Sequence, residues 1–168
     1  MLNKSFFALV IVIALSLSIA CSEDVSSSNN NSPISETQAV QKAQQTNPGT
    51  VTKTELTTHN GVKVWEVYMI TSSGGELKIK YRIDDGTMVE MKGTSPSFEY
   101  EVKPGINLID YSVAKSVALN AKNGEIQEWK LEKDESDNRW EYRFFIRSAG
   151  QDWEIRIDAT TGVVLRIK

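Results

Sequence analysis

The chain says much the same thing twice, at an offset close to 75 residues. Trp65-Glu66-Val67-Tyr68 is echoed by Trp140-Glu141-Tyr142-Arg143. Arg82-Ile83-Asp84 with Gly86 is echoed by Arg156-Ile157-Asp158 with Gly162, and Ala39 by Ala114. A duplication constrains the architecture before any single motif does, because each copy must close the same small fold. It divides the chain into two units of roughly 60 residues behind a leader, and a unit of that size is near the lower limit of what one core stabilises. The two units are therefore expected to pack against each other.

The leader sets the expected address. Residues 1–20 read as a secretory signal, with Lys4 as the positive start, an unbroken apolar run from Phe6 to Leu15, and the small residue Ala20 before the expected cut. That run is too short for a membrane-spanning helix, which takes about 20 apolar residues. Cys21 follows and is the only cysteine, which leaves no partner for an internal disulfide. Ser18-Ile19-Ala20-Cys21 resembles a bacterial lipobox, departing from it at Ser18, where Leu is commoner. The resemblance implies that Cys21 is diacylated and becomes the mature N-terminus, and two acyl chains anchor a protein where one binds only marginally. The rest of residues 21–34 is a polar, low-complexity tether with too little apolar surface to fold. A flexible coil of that length spans roughly 20 Å. The expected location is the cell envelope, lipid-anchored on the extracytoplasmic side of a bacterial membrane.

Removal of Lys4 with the signal leaves 18 basic residues (19 minus 1) against 22 acidic ones, a net charge of about −4. No basic stripe appears along the sequence. A weakly acidic chain has no electrostatic attraction for phosphate backbones, so nucleic acid is not an expected partner.

Each copy reads as α-β-β-β-β. In the first, Ser35 followed by Gln38 is a capping-box signature, Ala39, Val40 and Ala43 give a narrow apolar stripe, and Asn47-Pro48-Gly49 ends the helix. Strands are expected at Thr50–Thr58, Val62–Thr71, Glu76–Asp84 and Thr87–Lys92, with Asn60-Gly61 as a strong hairpin turn. The second copy repeats the order, with a helix at Tyr111–Ala121, capped by Asp110 or Asn107. Its strands are expected at Glu125–Lys133, Arg139–Arg147, Gln151–Asp158 and Val163–Lys168. The expected fold class is α+β, two tandem units, each one helix packed on a four-stranded antiparallel sheet. The boundaries are 35–92 and 107–168, joined by a punctuated linker, 93–106, in which Phe98–Val102 could be extended.

No catalytic constellation is present. His59 is the sole histidine and sits beside a hairpin turn, so neither a zinc site nor a Ser-His-Asp site has the residues it needs. Asp84 and Asp85 fall in a turn, where Asp bonds local backbone. Glu132, Asp134, Glu135 and Asp137 form an acidic hairpin tip without calcium-loop spacing. No phosphate loop is found, and no metal or cofactor is expected. Trp140, Tyr142, Phe144 and Ile146 share one strand face, and Trp153, Ile155 and Ile157 share one face of the next strand, the expected core beneath the helix. The opposite face carries Val64, Glu66, Tyr68 and Ile70 in one copy and Arg139, Glu141, Arg143, Phe145 and Arg147 in the other. A strand apolar on both faces is covered on both, either by the other repeat or by a partner. Tyr and Arg suit interface hot spots, which makes Tyr68, Arg143, Phe145 and Arg147 the candidate partner contacts.

The closing segment Ile157 to Leu165, with its Asp158-Ala159-Thr160-Thr161-Gly162 turn after an aromatic-rich hairpin, resembles the PepSY domain. The first copy carries a degenerate turn, Asp84-Asp85-Gly86, two residues shorter, with Val89 standing for Leu165 and Met91 for Ile167. The resemblance implies a secreted or envelope protein without catalytic residues, related to the propeptides of secreted metallopeptidases. The layout also looks like the beta-lactamase inhibitory protein, where two such units form one concave sheet, a likeness of fold alone. The implied function is a membrane-anchored, non-catalytic module that binds an envelope or secreted protein and regulates or inhibits a secreted peptidase. The alternative is a structural or sensory lipoprotein that binds cell-wall material or a small ligand.

Overall fold

The computed structural model describes residues 32–94, 107–134, 136 and 138–168. The signal segment, Cys21 with its lipobox-like surroundings, Phe98–Val102 and most of the linker lie outside the described residues.

The element order is α1 (Glu36–Thr46), β1 (Gly49–His59), β2 (Val62–Thr71), β3 (Glu76–Arg82), β4 (Met88–Gly93), α2 (Tyr111–Ala121), β5 (Glu125–Asp134), β6 (Arg139–Ser148), β7 (Gln151–Asp158) and β8 (Val164–Ile167). Local chemistry sets these limits. The Ser35 amide donates to Gln38 Oε1 at 2.8 Å and the Gln38 amide donates to Ser35 Oγ at 3.3 Å, so both halves of the capping box form. Asp110 takes the N-cap of α2, but its side chain makes no capping hydrogen bond. Each helix turns alanines to the sheet, Ala39 and Ala43 in α1, Ala114 and Ala118 in α2. Small residues let a helix with a narrow apolar stripe come close to the strands.

The eight strands form one antiparallel sheet in chain order. Two separate four-stranded sheets were expected. Instead, β4 pairs directly with β5 through Glu90↔Glu132, Met91↔Leu131, Lys92↔Lys130 and Gly93↔Trp129. The second repeat thus extends the first sideways and does not cover its face. Both helices lie on one side, α1 over β1 and β2, α2 over β6, β7 and β8. One apolar cluster runs beneath them from Val67 and Ile79 through Met91 and Leu131 to Tyr142, Phe144 and Ile157. Its densest part is aromatic, with the Tyr111 ring 4.6 Å from that of Trp129 and 5.9 Å from that of Phe144.

Equivalent hydrogen bonds give the true register of the duplication. Trp65 Nε1 donates to the Ile34 carbonyl at 2.9 Å, and Tyr142 OH donates to the Ile109 carbonyl at 2.9 Å. Trp65 therefore corresponds to Tyr142, not to Trp140. The β1 bulge between Val51 and Lys53 matches the β5 bulge between Ile126 and Glu128 at an offset of 75. The β5–β6 connection, 135–138, is two residues longer than Asn60-Gly61, which raises the offset to 77 along β6. The next turn is one residue shorter, since Thr71 bonds Gly75 whereas Ser148 pairs with Gln151. The Gly86 amide then bonds Arg82 as the Gly162 amide bonds Asp158, each at 2.9 Å, an offset of 76. The turn expected to be two residues shorter in the first copy is thus of equal length.

Candidate functional site

The face of the sheet without helices is built almost wholly from charged side chains, and the strand register sorts them into rows. One row crosses seven strands as Glu55, Glu66, Lys80, Glu90, Glu132, Glu141 and Asp158, each directly opposite the next. The adjacent row crosses all eight as Lys53, Tyr68, Lys78, Lys92, Lys130, Arg143, Arg156 and Arg166. Seven gaps of one strand spacing make this basic row roughly 34 Å long. A basic stripe therefore exists, contrary to the sequence expectation, because the sheet collects one cation from each of seven strands.

Like charges directly opposite one another destabilise a sheet, and here neighbours of opposite sign offset that cost. Lys78 meets Glu66 on the diagonal at 2.8 Å and Arg143 meets Glu132 on the diagonal at 2.6 Å, while Lys80 meets Glu90 directly opposite at 2.6 Å and Arg156 meets Glu154 along β7 at 2.7 Å. Glu141, 2% exposed, is ringed by Arg139 at 3.0 Å, Arg143 at 3.6 Å and Arg156 at 3.8 Å. The result is a surface of alternating sign, with rows spaced roughly 7 Å apart along the strands, and no single-sign field to steer a polyanion.

These pairings perturb titration. Burial pushes the Glu90 carboxyl up, but the Lys80 ammonium, bonded to it and charged, more than offsets this and holds it below its ordinary value. At Asp158 burial again works upward and is outweighed by the amides of Thr161 and Thr160, so the carboxyl is lowered. The Tyr68 phenol is pushed up to about 12 by burial and by the Glu66 carboxylate, to which it donates at 3.1 Å.

All four candidate contacts lie on this face. Phe145 stands between Arg143 and Arg147 on β6, and Tyr68 stands four strands away on β2, a separation of roughly 19 Å. At the offset of 77, Tyr68 and Phe145 are equivalent positions. Each ring has lysine above it, Lys53 and Lys78 at 5.4 and 5.8 Å from Tyr68, Lys130 at 5.8 Å from Phe145. Each also borders a depression, about 220 Å³ between Tyr68, Glu76 and Lys92, and about 450 Å³ between Phe145, Glu128 and Asp152. Arg147 is exposed and binds Asp152 in a two-pronged pair at 2.8 and 2.9 Å. Val64 is fully buried and Ile70 is 36% exposed, so the apolar character expected of this face is slight.

His59 ends β1 on the same face, with Nδ1 3.2 Å from Lys80 Nζ. The sequence shows it beside a hairpin turn but not its lysine neighbour, which arrives from β3. Among the described residues, no group of three or more His, Cys, Asp or Glu side chains is placed to hold a metal ion. Also among them, no helix is long and apolar enough to cross a membrane.

A chain of two α-β-β-β-β repeats closing on Asp-turn-Gly can be compared with known families. The model described as "Peptidase propeptide and YPEB domain", PepSY, matches residues 33–102 and again 108–168. The chain belongs to the PepSY family. The two PepSY matches split within the stretch joining β4 to α2, and each takes in one helix and four strands. No curated protein matches the chain. Among solved structures, a candidate lipoprotein from Clostridium difficile 630 is 19% identical over 84% of this chain and 95% of its own, with a TM-score of 0.39.

Proposed function

We propose that this PepSY protein is a non-catalytic, lipid-anchored binding module of the cell envelope whose helix-free sheet face engages an envelope or secreted protein, foremost a peptidase. The observation that carries the reading is the tandem match to a peptidase-propeptide domain over most of the chain. A propeptide-like module acts by occupying a partner, which needs a broad, preformed surface and no nucleophile. The helix-free face supplies that surface. Its paired charges are pre-oriented across eight strands, so they lose little side-chain freedom on docking, and Tyr68 and Phe145 supply rigid aromatic anchors of the kind that dominate interfaces. The lipobox-like Ser18-Ile19-Ala20-Cys21 supports the anchor.

The test is capture of partners by the full-length tagged protein in solubilised envelope and secreted extracts, read by mass spectrometry. A peptidase enriched by the wild type, and lost when Phe145→Ala and Tyr68→Ala are combined, is the expected outcome. Capture of wall fragments alone, or of nothing above a tag control, would overturn the peptidase reading.

A further inference from the structure

An open sheet has two edges, and here they are unlike. Among the described strands, β1 pairs only with β2, and β8 only with β7. An edge strand presents a row of unpaired N–H and C=O groups, a template for another strand. Each edge also exposes large apolar side chains, Leu56 at 54% on β1, and Ile167 at 47% with Leu165 at 37% on β8.

The molecule already contains one junction between these two kinds of edge. β4 closes the first repeat and β5 opens the second, and they pair through Glu90↔Glu132, Met91↔Leu131 and Lys92↔Lys130. By the repeat register, Arg166, Ile167 and Lys168 hold the places of Glu90, Met91 and Lys92. Thr57, Leu56 and Glu55 hold those of Glu132, Leu131 and Lys130. Met91 and Leu131 are both fully buried where they meet, whereas their equivalents Ile167 and Leu56 are left half in water.

We propose that the outer edge of β8 pairs antiparallel with the outer edge of β1 of a second copy of this chain, in the register of the β4–β5 junction. Ile167 then lies opposite Leu56, and Lys168 opposite Glu55, with Glu55 also on the diagonal of Arg166. The internal junction sets lysine against lysine and glutamate against glutamate, while the copy-to-copy junction sets cation against anion. One contact opposes it, Lys53 on the diagonal of Lys168, and Lys53 is already held by Glu55. The pairing is head-to-tail, so it propagates into a ring or an open row of sheets. It requires no peptidase and stands apart from the partner proposed above.

The test uses the full-length chain with Cys21→Ser, which leaves introduced thiols as the only ones. Copies carrying Leu56→Cys are mixed with copies carrying Ile167→Cys under mild oxidation, since directly opposed strand residues lie within disulfide reach. A disulfide dimer in the mixture, and little with either variant alone, is expected. Sedimentation of the chain with both positions unmodified serves as a second measure. Its mass should rise with concentration, Glu55→Lys should weaken association roughly fivefold, and adding Lys168→Glu should restore it. A chain that stays monomeric and forms no mixed disulfide would overturn the proposal, as would Leu56→Cys copies cross-linking to each other as readily as to Ile167→Cys copies.

Discussion

Glu141 shows how the helix-free face is held together. Its carboxylate is buried beneath three guanidinium groups, and removing it takes the shared anion from all three, leaving Arg143 with Glu132, Arg156 with Glu154 and Arg139 with the more distant Asp158. Glu141→Ala is expected to cost about 3 kcal/mol, at the low end for a broken buried pair because the arginines remain partly hydrated; a denaturant midpoint checks this. The exposed Arg147–Asp152 pair, by contrast, should leave the midpoint in place when Asp152 is changed to Asn. Glu90 gives a pH signature. Its folded-state pKa lies below the ordinary value, so its stabilisation is fully present above the unfolded value, near 4.3, and is lost as pH falls through the folded one. Asp158 adds to the same acid limb. Lys80→Met removes the cause at Glu90, so urea midpoints measured from pH 6 down to pH 3 should fall less steeply in that variant; an unchanged slope would contradict the assignment. Alternation along β6 sufficed to put Arg143, Phe145 and Arg147 on one face. It could not pair Arg143 with Glu132, or His59 with Lys80, because those partners come from other strands.

At the scale of elements, the sequence marks both helices and all eight strands because the local chemistry is explicit. Ser35 and Gln38 close a capping box, and Asn60-Gly61, with both residues at positive φ (49° and 81°), makes a tight turn. The register of the duplication differs from the one the motifs suggest for a physical reason. Trp65-Glu66 and Trp140-Glu141 look alike but sit two positions apart in the repeat, and a shift of two keeps every side chain on its own face. Nothing in the alternation pattern flags such a slip; only the Trp65 and Tyr142 hydrogen bonds to Ile34 and Ile109 reveal it. Gly49 and Gly124 are true equivalents and share one constraint, since a Cβ at either would collide with a carbonyl oxygen, that of Ile70 or Arg147. Gly124→Ala and Gly49→Ala are each expected to cost about 1–3 kcal/mol by displacing the neighbouring strand, measured by thermal or urea unfolding. A neutral result at both would mean the strand ends yield more easily than their packing implies.

At the scale of the whole molecule, the two repeats share one sheet and one apolar cluster, with Met91 and Leu131 buried at the junction. Sequence pattern could not distinguish this from two separate sheets. β4 and β5 alternate in the same way whether their outer backbone groups face water or each other, and backbone pairing leaves no mark on side-chain order. The basic and acidic rows escaped notice for the same reason, each being assembled from segments scattered between Lys53 and Arg166. The two-sided layout, helices on one side and paired charges on the other, gives the proposed binding role a definite geometry. The most direct measurement is lysine cross-linking mass spectrometry on the full-length protein with its captured partner. Links should concentrate at Lys53, Lys78, Lys92 and Lys130 on the helix-free face; links confined to Lys42 and Lys115 on the helices would contradict it.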